Sequence, residues 1–168
     1  MELSRYISTV AATFDRSEGM SSPTQQLLRR ASAEVGDLAP VGFITTGSGG
    51  RGNAAQVPWF GFLDPEETTT PLEGLYAVYL FTGDLANVFL TLIQGVTHVL
   101  ESVRPPATAR ARLASDGERI RQQLGSKRLQ GFLPAIHLRA RGPLAAGYEA
   151  GAVAAIDYEV SSLPDDVG

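Results

Sequence analysis

The sequence predicts an α+β domain, a mixed or antiparallel β-sheet with helices packed against it. Three observations carry that prediction. Leu75–Phe81 reads Leu-Tyr-Ala-Val-Tyr-Leu-Phe, in which every residue but alanine suits a strand. Gly83-Asp84 supplies a turn, and Asn87–Gln94 makes a return strand, so the two runs form a hairpin. Apolar residues recur at helical spacing near the start of the chain, as Leu3, Tyr6, Ile7 and Val10, and again as Leu113, Ile120 and Leu124.

Taken in order, Leu3–Phe14 is a helix and Ser17–Ser22 a loop. Pro23 opens a second helix through Val35, a good first-turn proline, and Gly36 stops it. Ala39–Thr46 is extended, a glycine-rich loop follows, and Val57–Leu63 is a strand. Asp64–Pro71 is an acidic, proline-containing connection. In the strand Leu75–Phe81, period two puts Tyr76, Val78 and Leu80 on one face, and Leu75, Ala77, Tyr79 and Phe81 on the other. Both faces are apolar, so this strand is central, or one face lines a pocket. Val96–Val103 reads as a short helix ended by Arg104-Pro105-Pro106, and Thr108–Leu124 as a longer one. Phe132–Leu138 reads as another strand. Beyond Gly142 the Ala/Gly-rich chain gives no clear period, and Leu163-Pro164-Asp165-Asp166-Val167-Gly168 looks like the opening of a further element. We therefore expect one domain over residues 1–168 that is the N-terminal module of a longer protein.

Composition narrows the class. The 43% apolar and 19% charged fractions fit a globular chain. No apolar run reaches the ~18 residues a membrane helix needs. Glu2 stands where a secretory signal would be basic, and there is no cysteine, so a cytoplasmic protein is expected. The net charge of −4 is unevenly spread. Residues 104–141 carry 9 Lys/Arg against 2 Asp/Glu, whereas 1–103 carry 5 against 11 and 142–168 carry 0 against 5. A local excess of this size can attract a phosphate backbone in an acidic chain; equally, its arginines can pair with acids elsewhere in the fold.

Catalytic motifs are lacking. His98 and His137 do not have metal-ligand spacing, so structural roles are expected, and no cofactor or metal. The glycine run lacks the Gly-Lys-Ser/Thr of a P-loop, and a strand rather than a dinucleotide-binding helix follows it. Asp64, Glu66, Glu67 and Glu73 lie in a proline-containing loop with no assignable partner. Ser48 and Ser115 lack a nucleophile elbow.

The most informative stretch is Gly47–Phe62, Gly-Ser-Gly-Gly-Arg-Gly-Asn-Ala-Ala-Gln-Val-Pro-Trp-Phe-Gly-Phe. It has two readings. One is a flexible loop running into a core strand. The other is a ligand-reading device, a cation at a glycine-rich tip beside the chain's one tryptophan.

The residues Gly50-Arg51-Gly52-Asn53, Val57-Pro58-Trp59-Phe60-Gly61-Phe62 and Glu73–Phe81 resemble the N-terminal DNA-binding domain of McrB-type, modification-dependent (type IV) restriction enzymes. Leu90–Thr97, Tyr148-Glu149-Ala150-Gly151, Tyr158 and Leu163-Pro164 extend the resemblance in patches over residues 40–165. The resemblance implies a reader of double-stranded DNA with 5-methylcytosine or a related modified cytosine, which flips the base into an aromatic pocket. Cleavage would belong to a downstream nuclease or motor module in the same or a partner chain. By position, Trp59, Tyr76 and Leu80 would line the pocket, and Gly50, Arg51, Gly52 and Asn53 would form the loop that enters the duplex. Arg51 stands where the best-known member of the family has an aromatic wedge; arginine can stack or hydrogen-bond an orphaned guanine. Ser48, Arg104, Arg110, Arg112, Arg121, Lys127 and Arg128 are candidates for backbone contacts. The alternative is a non-catalytic sensor or protein-interaction domain using the same apolar cleft, and an enzyme is a third reading that only paired carboxylates or a metal in the pocket would support.

Overall fold

Five strands hydrogen-bond in chain order, β1 (Ile44–Arg51), β2 (Asn53–Leu63), β3 (Leu75–Phe81), β4 (Asn87–Gln94) and β5 (Ala152–Glu159). Every neighbouring pair is antiparallel. The computed structural model describes residues 1–165. The sheet is therefore antiparallel throughout, and β3 sits at its centre, as a strand apolar on both faces requires.

Each face of β3 feeds a separate core. Tyr79 and Phe81 join Phe60, Val88 and the buried residues of α1 (Leu3–Thr13), α2 (Pro23–Arg29) and α3 (Ala31–Val35). Phe60 stacks on Tyr79 with ring centroids 4.8 Å apart and meets Tyr6 edge-on at 4.9 Å. Tyr76, Val78 and Leu80 join Val57, Leu63, Phe89, Ile93, Leu113 and Tyr148 on the opposite face. That face is covered by α4 (Thr97–Ser102), α5 (Pro106–Leu124), α6 (Pro143–Gly151) and the segment 132–141.

Several sequence expectations change. The helix expected over 23–35 breaks at Arg30 into α2 and α3; the bend lets both Leu28 and Val35 reach full burial. The glycine run is a strand, not a loop. A Cβ on Gly47 would lie 2.6 Å from the Leu28 carbonyl oxygen, and one on Gly49 would overlap the Gln25 side chain, so these glycines let α2 lie against β1. The turn itself is confined to Gly52, whose φ of 72° suits glycine. The segment 132–138 is not a strand. It makes a single bridge to the sheet, Leu133 to Ala155, because Pro134 has no N–H with which to extend a ladder. Ile136 and Leu138 are nonetheless buried. Helix α6 and strand β5 account for the Ala/Gly-rich region. Val160–Ser162 form a 3₁₀ turn, while residues 166–168 of the element expected at 163–168 lie outside the described residues.

Candidate functional site

The register aligns one row of side chains across the sheet. Ser48 on β1 faces Trp59 on β2, Trp59 faces Leu80 on β3, Leu80 faces Phe89 on β4, and Phe89 faces Asp157 on β5. Trp59 is half-buried, whereas Leu80 is 1% exposed. Tyr76 lies four residues before Leu80 on the same face, is 6% exposed, and donates its hydroxyl to the Pro71 carbonyl at 3.0 Å. Burial pushes the Tyr76 phenol well above its ordinary range, with nearby Tyr148 adding to the effect. Burial likewise raises Tyr148 to about 12. The three residues expected to form the base pocket therefore share one face, with Trp59 as the most accessible of them.

The hairpin carrying Arg51 rises from the same end of the sheet. Pairing of β2 with β3 stops at Trp59, and toward the tip only Asn53 and Ala54 of β2 pair, both with β1, among the described residues. Arg51 faces Asn53 across the tip and is exposed; neither side chain has a hydrogen bond or ion pair among the described residues. Below the tip the ladder is interrupted. Between the pairs Ser48–Trp59 and Gly50–Ala54, the single residue Gly49 stands opposite residues 55–58, a bulge larger than the usual two residues against one. Ser48 accepts the Gly50 amide at 3.1 Å, so its hydroxyl serves the bulge.

A cavity of about 360 Å³ adjoins the row, lined by Phe89, Leu133, Pro134 and Ala135 with Asn87, His137, Arg139 and Asp157 at its polar rim. Asn87 donates to Asp157 at 2.7 Å and accepts from Arg139 at 2.5 Å. Arg139 also pairs with Asp84 at 3.4 Å. The Thr82 hydroxyl and Ala86 amide, followed by Arg139, hold the Asp84 carboxyl below its usual range. The sequence gives no local sign of this cavity: the turn Gly83-Asp84 is legible, but Arg139 reaches it from more than fifty residues later in the chain.

The basic residues differ in what they touch. Arg121 is engaged, donating to the Ala152 and Val153 carbonyls at 3.3 and 3.2 Å and pairing with Glu118 at 3.0 Å. These carbonyls open β5, at the end of the sheet away from the Arg51 tip. Arg112 shares Asp116 with Arg119. Arg104, Lys127 and Arg128 are exposed and Arg110 half-buried, and none of the four has an ion pair among the described residues. His98 pairs with Glu73 at 3.1 Å. Among the described residues no group of three His, Asp or Glu is placed to hold a metal ion, and no helix is long and apolar enough to cross a membrane.

A five-stranded antiparallel meander between two helical layers defines an α+β domain. The family model described as MrcB-like, N-terminal domain matches residues 3–167, and the chain belongs to that family. The match takes in α1–α3 as well as the region from residue 40 onward whose motifs first pointed to it. No curated protein and no solved structure matched the chain.

Proposed function

We propose that this domain binds double-stranded DNA containing 5-methylcytosine, or a related modified cytosine, and flips that base into a pocket of Trp59, Tyr76 and Leu80. It serves as the recognition module of a type IV restriction endonuclease, and the nuclease or motor lies in another module. The observation that carries this reading is the sharing of one sheet face by those three residues in a member of this family. The exposed Arg51 side chain at the tip, which has no partner among the described residues, supports it, being free to enter the duplex or contact phosphate.

The energetics suit a reader of modest selectivity. A methyl leaves the cytosine Watson–Crick edge unchanged, so a pocket can reward it only by burial. One buried carbon is worth about 0.8 kcal/mol, and fit raises discrimination to ~1–3 kcal/mol, or tenfold to a hundredfold. Flipping costs a few kcal/mol, which stacking on Trp59 and Tyr76 offsets. Tyr76 and Leu80 are covered in the free protein, so a base reaching them parts the layer of Ile136, Leu138 and Tyr148. The measured affinity then scales with the fraction of molecules that open.

The test is fluorescence-anisotropy titration of one short duplex prepared unmodified, hemimethylated and fully methylated, at two salt concentrations, with Trp59→Ala and Tyr76→Ala alongside. Preference for methylated duplexes that vanishes in folded pocket variants is expected. Salt-sensitive binding without methyl preference would leave a DNA-binding domain and remove the pocket. A second reading, a non-catalytic sensor or protein-interaction domain, is favoured by the net charge of −4 and the polar-rimmed cavity beside Phe89. Failure to bind any duplex at low salt selects it.

A further inference from the structure

The large bulge below the Arg51 tip is a natural hinge, because one residue of β1 opposes four of β2 and the ladder there is lost. Both strands of that bulge are nevertheless held, and by side chains from outside the sheet. Arg16, in the α1–α2 loop, donates Nε to the Ala55 carbonyl at 3.1 Å and Nη2 to the Gln56 carbonyl at 2.6 Å. Gln25, on α2, donates Nε2 to the Gly49 carbonyl at 2.8 Å. These three carbonyls belong to the unpaired stretch itself, where the backbone has lost its strand partners.

The two holders are anchored in the helical layer. The Arg16 guanidinium sits 5.5 Å from the ring centroid of Phe14, which is buried in the core under α1, and Arg16 makes no ion pair among the described residues. Gln25 is 1% exposed, and its Oε1 is buried with no hydrogen-bond partner. A buried acceptor left unpaired lowers stability, a local sacrifice of the kind that proteins retain where a position serves function. Gly49 has no Cβ because the Gln25 amide occupies that space.

We propose that Arg16 and Gln25 are positioning residues that lock the bulge and so fix the direction in which the hairpin presents Arg51. The proposal rests on the DNA reading above for the purpose of the tip, but not for its rigidity. A locked tip meets the duplex without losing the conformational freedom of a swinging hairpin, which strengthens binding with no added contact.

The experiment has two arms on the full chain. The first needs no DNA. Backbone ¹⁵N relaxation is measured for wild type, Arg16→Ala and Arg16→Lys. Order parameters at residues 50–54 are expected near the rigid value of about 0.85 in wild type and below about 0.6 in Arg16→Ala, with β3 and β4 unchanged. Arg16→Lys, keeping one donor, should fall between. A tip already below about 0.6 in wild type, or unaltered by Arg16→Ala, overturns the proposal. The second arm is a binding cycle on methylated duplex. Arg16→Ala is expected to weaken binding about tenfold when Arg51 is present and to change nothing in an Arg51→Ala background. Equal losses in both backgrounds would make Arg16 a DNA contact of its own and overturn its positioning role. If wild type binds no duplex, the DNA reading fails, and the relaxation arm alone decides whether the bulge is locked.

Discussion

Replacing Tyr76 by phenylalanine removes one oxygen from the centre of the proposed pocket and leaves the ring in place. That oxygen donates a 3.0 Å hydrogen bond to the Pro71 carbonyl. Loss of one neutral hydrogen bond costs about 1 kcal/mol, and the half-buried Pro71 carbonyl can turn to water. For a chain of this size the melting temperature should fall by about 2–4 °C. Alkali reverses the comparison. The unfolded phenol ionises at 10.0, while burial holds the folded phenol protonated to a higher pH. The folded pKa is raised, so the stability contribution is complete below pH 10 and is lost as pH climbs toward the folded value. Wild type therefore loses up to about 1.36 kcal/mol per pH unit through Tyr76, a loss the variant escapes. Tyr6 and Tyr148 titrate alike in both proteins and cancel. The gap of about 1 kcal/mol should close between about pH 10 and pH 11, and the variant should then become the more stable. Urea denaturation followed by circular dichroism, at neutral pH and through that alkaline window, measures it. Two parallel stability curves would refute the buried, hydrogen-bonded phenol. Because the ring survives, Tyr76→Phe should also keep its preference for methylated duplex, whereas Tyr76→Ala should lose it.

Other changes separate fold from function. Gly47→Ala places a Cβ 2.6 Å from the Leu28 carbonyl and 3.1 Å from Trp59 O, both backbone atoms; overpacking should destabilise the domain by about 1–3 kcal/mol in chemical denaturation. Arg121→Ala strips the donor from the Ala152 and Val153 carbonyls and should cost about 1–3 kcal/mol, while the salt dependence of DNA binding stays as in wild type. Arg51→Ala should do the opposite, leaving the melting temperature unchanged and lowering the slope of log affinity against log salt by about 1 if Arg51 meets a phosphate.

How much of this was legible in the sequence depends on the distance over which each residue acts. Strands β3 and β4 were readable to their ends because their period-two faces are strongly apolar and a Gly-Asp turn joins them. The helices α1 and α5 announced themselves by spacing. The glycines of β1 misled, since what they accommodate is α2, a neighbour some twenty residues earlier in the chain. Strand β5 was missed because Ala152, Ala154 and Ala155 have little intrinsic strand preference; burial against β4 and α5 makes the strand. The segment 132–138 shows the converse, a strand-like alternation that buries Ile136 and Leu138 without joining the ladder. The assignment of Trp59, Tyr76 and Leu80 came from resemblance, with strand period supplying the shared face of Tyr76 and Leu80. The clustering of Arg16, Gln25 and the bulge had no local signature, because three separate segments build it.

The order of the strands also bears on how the chain is made and cut. Strands β1 to β4 each pair with a neighbour only a turn or a short connection away, so they can close hairpin by hairpin as they emerge. The partner of β4 on its other side arrives only after residues 95–151 have been synthesised. Until then the backbone of Val88, Leu90 and Leu92 is an open, apolar sheet margin, the kind that recruits a second chain. A fragment ending before Ala152 keeps every residue of the proposed base pocket and lacks the strand that seals this margin. It should associate with itself rather than bind DNA, so a functional boundary cannot be drawn at the last pocket residue.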